Sequence, residues 1–178
     1  MPLIYITGIA GSGKSTVQKE LKRRGHNSYD VDEPGIGAAH DQQGNIVKVP
    51  DVAERSPDWF DTHSWRMVDG AVEKLQAKAK TGLVFLCGAT TINENTGVFD
   101  RTIRLDIDEA TLRKRLAQRK ENDFGQSEHE LQRILDFHKA ATDKYKNQDA
   151  DIIDATQPLD KVIEDILRLV APKQSQLR

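Results

Sequence analysis

Gly8-Ile9-Ala10-Gly11-Ser12-Gly13-Lys14-Ser15 spells G-x-x-x-x-G-K-S between an apolar run, Leu3-Ile4-Tyr5-Ile6, and a helical pattern carrying Val17 and Leu21. Strand, glycine-rich turn and helix, in that order, form the context a phosphate-binding loop requires. The glycines let the chain wrap so that successive backbone N–H groups aim at one anion. The N-terminus of the following helix adds partial positive charge. Nucleotide contacts are assigned to Gly8, Gly11, Ser12, Gly13, Lys14, Ser15 and Thr16. In such a loop the lysine reaches the β- and γ-phosphates and the serine hydroxyl ligates Mg2+, so the implied ligand is a nucleoside triphosphate.

Outward from this loop, short apolar runs alternate with amphipathic helical patterns, the signature of an α/β protein with a parallel sheet covered by helices. Five strands are expected, at Leu3–Thr7, Asn27–Asp30, Leu83–Cys87, Thr102–Leu105 and Asp151–Ile153. The first helix runs from the loop to about Arg24, with Gly25 as its stop. A long helix is expected from Ser56-Pro57 to Gly82, with Phe60, Met67, Val68, Ala71 and Leu75 as its apolar face. Asp108 caps the next, Ser127 and Glu130 form a capping box for another, and Pro158 opens the last. Within Asp41–Pro50, Gln43-Gly44-Asn45 reads as a turn and Ile46–Val49 as a short strand, an insertion rather than a boundary.

The 178 residues are read as one domain with room for a substantial core. Net charge is −2, with both signs interspersed, which argues against a nucleic-acid platform carrying a basic stripe. The single cysteine, Cys87, allows no disulfide framework and fits a reduced, cytoplasmic setting. No apolar stretch approaches the ~20 residues a membrane helix needs. A monomer or homodimer is expected.

Three further groups carry chemistry. Asp30-Val31-Asp32-Glu33 follows the second strand, and ligands of open parallel sheets bind at the carboxyl ends of strands. Asp30 is therefore assigned to the metal shell, and Asp32 to an acceptor hydroxyl as base or orienting group. Arg115 and Arg119 share a helix face at i and i+4, leading into Glu121–Gly125, and are assigned to charge on the moving phosphoryl group. Ala150–Pro158 runs strand, loop and helix start, and its loop, with Gln157 and Pro158, is placed beside a purine. On a helical wheel Trp59, His63 and Arg66 fall together, an aromatic ring, an imidazole and a guanidinium suited to an acceptor base or sugar.

Together these motifs resemble the small-molecule branch of the P-loop kinases, the adenylate kinase-like and shikimate kinase-like group that also holds gluconate kinases. The resemblance spans nearly the whole chain. It implies a P-loop NTPase three-layer α/β sandwich with a five-stranded parallel sheet in the order 2-3-1-4-5. It implies a core of 1–32, 67–118 and 128–171, an acceptor-binding subdomain near 33–66 and a short lid near 119–127. It implies ATP and Mg2+, and transfer to a small metabolite, foremost a nucleoside or nucleotide. The chain departs from that group after strand three, where Gly88-Ala89-Thr90-Thr91-Ile92-Asn93 carries no acid. Metal orientation then falls to Ser15 with Asp30 or Asp32. Gly88 is assigned to the acceptor, and the acceptor arginine of shikimate kinases has its counterpart in Arg55 or Arg66. Alternatives are a shikimate- or gluconate-type kinase, and a regulatory ATPase that uses water.

Overall fold

The computed structural model describes residues 2–51, 53–56, 58–90, 97–119, 124–125, 127–145 and 150–171. Most of the expected lid, part of the stretch after strand three, and Pro57 lie outside the described residues. Five parallel strands form the large sheet: β1 (Leu3–Thr7), β2 (Asn27–Asp30), β6 (Val84–Cys87), β7 (Arg101–Asp106) and β8 (Asp151–Asp154). Their spatial order is β2-β6-β1-β7-β8. Counted along this sheet alone that is 2-3-1-4-5. The whole-chain numbering differs because β3 (Gly37–His40), β4 (Ile46–Val47) and β5 (Ser64–Met67) form a separate antiparallel sheet ordered β4-β3-β5.

The central strands β1 and β6 are buried at every position, as a sheet covered on both sides requires. Alternation along β1 sends Ile4 and Ile6 to one side, where they pack with Phe85, Ile103 and Leu105. That layer is closed by Val17 and Leu21 of α1 (Lys14–Arg23), Leu112 of α4 (Glu109–Gln118) and Ile163 of α6 (Leu159–Val170). Leu3 and Tyr5 face the other way, with Val84, Leu86, Val31 and the α3 (Ala71–Ala79) residues Leu75 and Ala79. The result is three layers.

The long helix expected from 56 to 82 is a correction. The chain makes one turn of α2 (Trp59–Thr62), becomes extended at His63, pairs as β5 with β3, and only then enters α3. Periodicity there was ambiguous: Trp65 and Met67 also alternate, and both pack on the second core cluster. Pairing with Gly37–His40 satisfies the backbone in the extended form, so tertiary context overrides the helical pattern. Gly70, with φ +75°, restarts the helix.

Asp108 caps α4 as expected, accepting from Thr111 N at 2.7 Å. The capping box of α5 (Glu128–Tyr145) does not close. Glu130 is instead the acceptor for Gly125 N at 2.8 Å and the ion-pair partner of Arg55.

Candidate active site

β1 ends at Gly8, whose φ of +152° is open only to glycine. A Cβ there would lie 2.6 Å from Ser12 Oγ and 2.7 Å from the Leu105 carbonyl. The loop then folds over the C-terminal edge of the sheet, Ser12 N donating to Ile9 O, and passes into α1 through Gly13. First-turn amides of a helix have no intrahelical acceptor, so Lys14, Ser15 and Thr16 present donors at this mouth. Ser12 is 1% exposed, and among the described residues its hydroxyl has no hydrogen-bond partner. A buried orphan hydroxyl beside free amides and a lysine fits an anion with several acceptor oxygens.

Lys14 Nζ donates to the carbonyls of Gly8 at 2.7 Å and Ile9 at 2.8 Å. Desolvation, with Arg119 adding repulsion, lowers its ammonium pKa to about 8, while Asp30 and Asp32 pull the other way. Asp32 is raised above the usual carboxylate range by desolvation and by Asp30, opposed by Lys14 and Arg119. These mutual influences bring the expected lysine, carboxylates and Arg119 into electrostatic reach of one another. Arg119 itself directly follows the last turn of α4.

The acidic turn is held by Gln18, which the motifs did not flag, and by Glu33 of the motif itself. Gln18 of α1 donates to Ser28 O and Glu33 Oε1, and Glu33 Oε1 also receives Asp30 N. Asp30 Oδ1 accepts from Asp32 N at 3.0 Å, and Val31 N donates to Cys87 O. No spacing rule links Gln18 to Glu33. Gly88, ending β6 at φ +153°, backs this turn so tightly that a Cβ would sit 2.0 Å from Val31 Cγ2. Cys87 beneath it is buried and its thiol pKa is driven up by desolvation, so it stays a thiol.

Arg115 spans two loops. Nη1 donates to Ser12 O at 3.1 Å and Nη2 to Ala155 O at 2.7 Å. The strap draws the β8–α6 loop, with Gln157 and the α6 N-cap Pro158, against the phosphate loop. Arg66 is not on a helix with Trp59 and His63. It lies exposed on β5, its Nε on Ser64 Oγ. Trp59 and His63 do meet, stacked at 4.3 Å and 3°. Arg55 is buried against Glu130, and Arg133 pairs with Asp61 at 2.5 Å.

The donor set fits Mg2+ as a guest of the triphosphate rather than of a protein cage. Among the described residues no group of three His, Cys, Asp or Glu is placed to hold a metal. Mg2+ of that kind takes one or two protein oxygens plus phosphate oxygens and water. Ser15 and Asp30 are the candidates for such oxygens.

Residues 4–136 match the AAA domain family. The chain belongs to it. No curated protein matches the sequence. Among solved structures, the fold is similar to a shikimate kinase from Acinetobacter baumannii solved with shikimate. That pair shows 18% identity and a TM-score of 0.58, covering 96% of this chain and 93% of the other. It is similar to an unliganded sugar kinase from Janibacter sp. HTCC2649, at 18% identity and TM-score 0.56, covering 94% and 93%. It is similar also to a deoxyadenosine kinase from M. mycoides with bound dATP, at 18% identity and TM-score 0.52, covering 96% and 99%. This member of the AAA domain family therefore has the fold of the P-loop small-molecule kinases. No helix among its described residues is long and apolar enough to cross a membrane.

Proposed function

We propose that the protein is an ATP-dependent phosphotransferase acting on a small metabolite, foremost a nucleoside or nucleotide. The reading is carried by the juxtaposition of Lys14, Asp32 and Arg119: Lys14 and Asp32 each bear on the other's ionisation, and Arg119 bears on both. Phosphoryl transfer asks a protein mainly for positioning and charge neutralisation, and these groups supply both. Lys14 leaves the Gly8 and Ile9 carbonyls for the β- and γ-phosphates, while the amides from Gly13 to Thr16 wrap the anion. Ser15 and Asp30 would hold Mg2+, which would supply neutralising charge to the triphosphate. Asp32 is an acid of raised pKa whose carboxylate accepts or orients the hydroxyl proton of the acceptor. Arg119 offsets charge on the moving group. Arg115 contributes by holding Ser12 and Ala155 in place, and Gln157 and Pro158 line the purine side. Gly88 and Arg66 belong to the acceptor side. We keep the division into a core, an acceptor-binding subdomain near 33–66 and a lid near 119–127.

A neutral, planar acceptor is favoured by the segment from 55 to 63. Its guanidinium partners are already neutralised by Glu130 and Asp61, leaving the Trp59–His63 stack and Phe60 as recognition chemistry. Similarity to a protein named deoxyadenosine kinase points the same way. The AAA domain match favours a second reading, a regulatory ATPase that uses water. ATP consumption measured across nucleosides, nucleotides, shikimate and gluconate separates the two. We expect strong stimulation by one acceptor and its loss in Lys14→Ala with an unchanged circular dichroism spectrum. Turnover indifferent to every acceptor favours the ATPase, and undiminished transfer by Lys14→Ala overturns both.

A further inference from the structure

We infer that Glu130 is a positioning residue that ties the nucleotide side of the cleft to the segment carrying α2, an inference that rests on the nucleotide-binding part of the reading above. Glu130 sits in the first turn of α5, and its side chain is 0% exposed. One carboxylate oxygen lies 2.8 Å from Arg55 Nε as an ion pair, and the other accepts from Gly125 N at 2.8 Å. The Arg55 side chain is itself 3% exposed. Burying two charges is costly, so such a pair contributes more to fixing one arrangement than to stability.

Both ends of the link lead somewhere. On the nucleotide side, Gly125 lies against α4: a Cβ there would be 3.4 Å from Leu116 Cδ2. Leu116 directly follows Arg115, the residue that holds Ser12 O of the phosphate loop. On the acceptor side, the Arg55 guanidinium lies over the Phe60 ring at 5.4 Å, and Phe60 meets Phe124 at 4.8 Å. Arg133, one turn after Glu130 on α5, holds Asp61 and the Phe60 carbonyl. The stretch from 55 to 61 thus takes these anchors from α5 and the turn ahead of it. A shift of α4 on nucleotide binding has a continuous path of contacts to α2.

Trp59 makes the link readable. The chain has two tryptophans, so Trp65→Phe leaves Trp59 as the sole emitter. It lies 5.0 Å from Phe60. The probe is the imido analogue of ATP with Mg2+, titrated into Trp65→Phe and into the same protein carrying Arg55→Gln with Glu130→Gln. The double change removes both charges together, so neither is stranded. We expect Trp59 emission to change on binding in the first protein, and the change to fall to about a third or less in the second. Calorimetric affinity for the analogue should stay within about threefold, because neither residue belongs to the proposed nucleotide-binding set. Arg55→Gln alone serves should the double variant fail to fold, with the same loss of response expected. An undiminished Trp59 response in either variant overturns the inference, as does analogue binding that leaves Trp59 silent in Trp65→Phe. Failure of the analogue to bind Trp65→Phe at all instead overturns the nucleotide reading on which it rests.

Discussion

Lys14 shows how one side chain can be set by its surroundings. Its ammonium is held at about pKa 8 by desolvation and by Arg119, well under the ordinary 10.5. An anionic ligand favours the charged form, so binding raises this pKa and takes up a proton wherever the free lysine is neutral. Nucleotide affinity is therefore expected to be flat below about pH 7 and to fall as pH rises through about 8, by at most about tenfold per unit. Calorimetry at pH 8.5 in buffers of different ionisation enthalpy should show proton uptake, absent at pH 6.5. A pH-independent affinity between 7 and 9.5 would show that Lys14 does not meet the phosphates. The identity of this lysine was legible from G-x-x-x-x-G-K-S alone. Its depressed pKa was not, because it depends on burial within the folded layers and on Arg119, over a hundred residues away in the chain. The same holds for Asp32: its place after a strand was legible, whereas its raised pKa comes from burial and from Asp30.

Elements place these residues, and the end of β6 does so with the least slack. Gly88 and Val31 meet where two neighbouring strands leave the sheet, and Val31 separates the two carboxylates. Gly88→Ala puts a methyl into Val31 at a backbone angle that alanine resists. We expect a loss of about 2–4 kcal/mol in stability. Turnover should fall further than stability alone predicts, since Val31 carries Asp30 and Asp32 with it. Urea denaturation paired with turnover at a temperature where the variant is folded checks this, and an unchanged midpoint would count against the packing described. Helix ends were legible where a side chain acts on its own first turn, as at Asp108. They were misleading where a longer-range partner competes. Glu130 has the spacing of a capping box, yet Arg55 and Gly125 claim both its oxygens. The stretch from 56 to 82 carries helical and strand periodicities together, and only β3, the partner strand, chooses between them.

At the scale of the molecule, the phosphate loop and the acidic turn leave the parallel strands β1 and β2 at the carboxyl edge of the sheet, and Arg115 of α4 straps the phosphate loop to the β8–α6 loop. A ligand that grips this edge only in the folded state stabilises that state by mass action. The imido analogue with Mg2+ at about a hundred times its Kd should add about 2.7 kcal/mol, a rise of roughly 5–11 °C in Tm for a chain of this size. The rise should vanish in Lys14→Ala. A shift of equal size in that variant would place the ligand elsewhere. The strands of the large sheet follow from the chain itself, whereas their order was implied only by the resemblance to P-loop kinases: apolar runs buried on both faces need helices on each side, and a glycine-rich turn after the first strand fixes where an anion sits. That information is local, written in periodicity and turn chemistry over spans of about 5–15 residues. The small sheet, the Gln18–Glu33 and Glu130–Arg55 contacts and the strap of Arg115 belong to the tertiary structure. Each joins residues distant along the chain, and their energies come from burial and hydrogen bonding that exist only once the layers have closed.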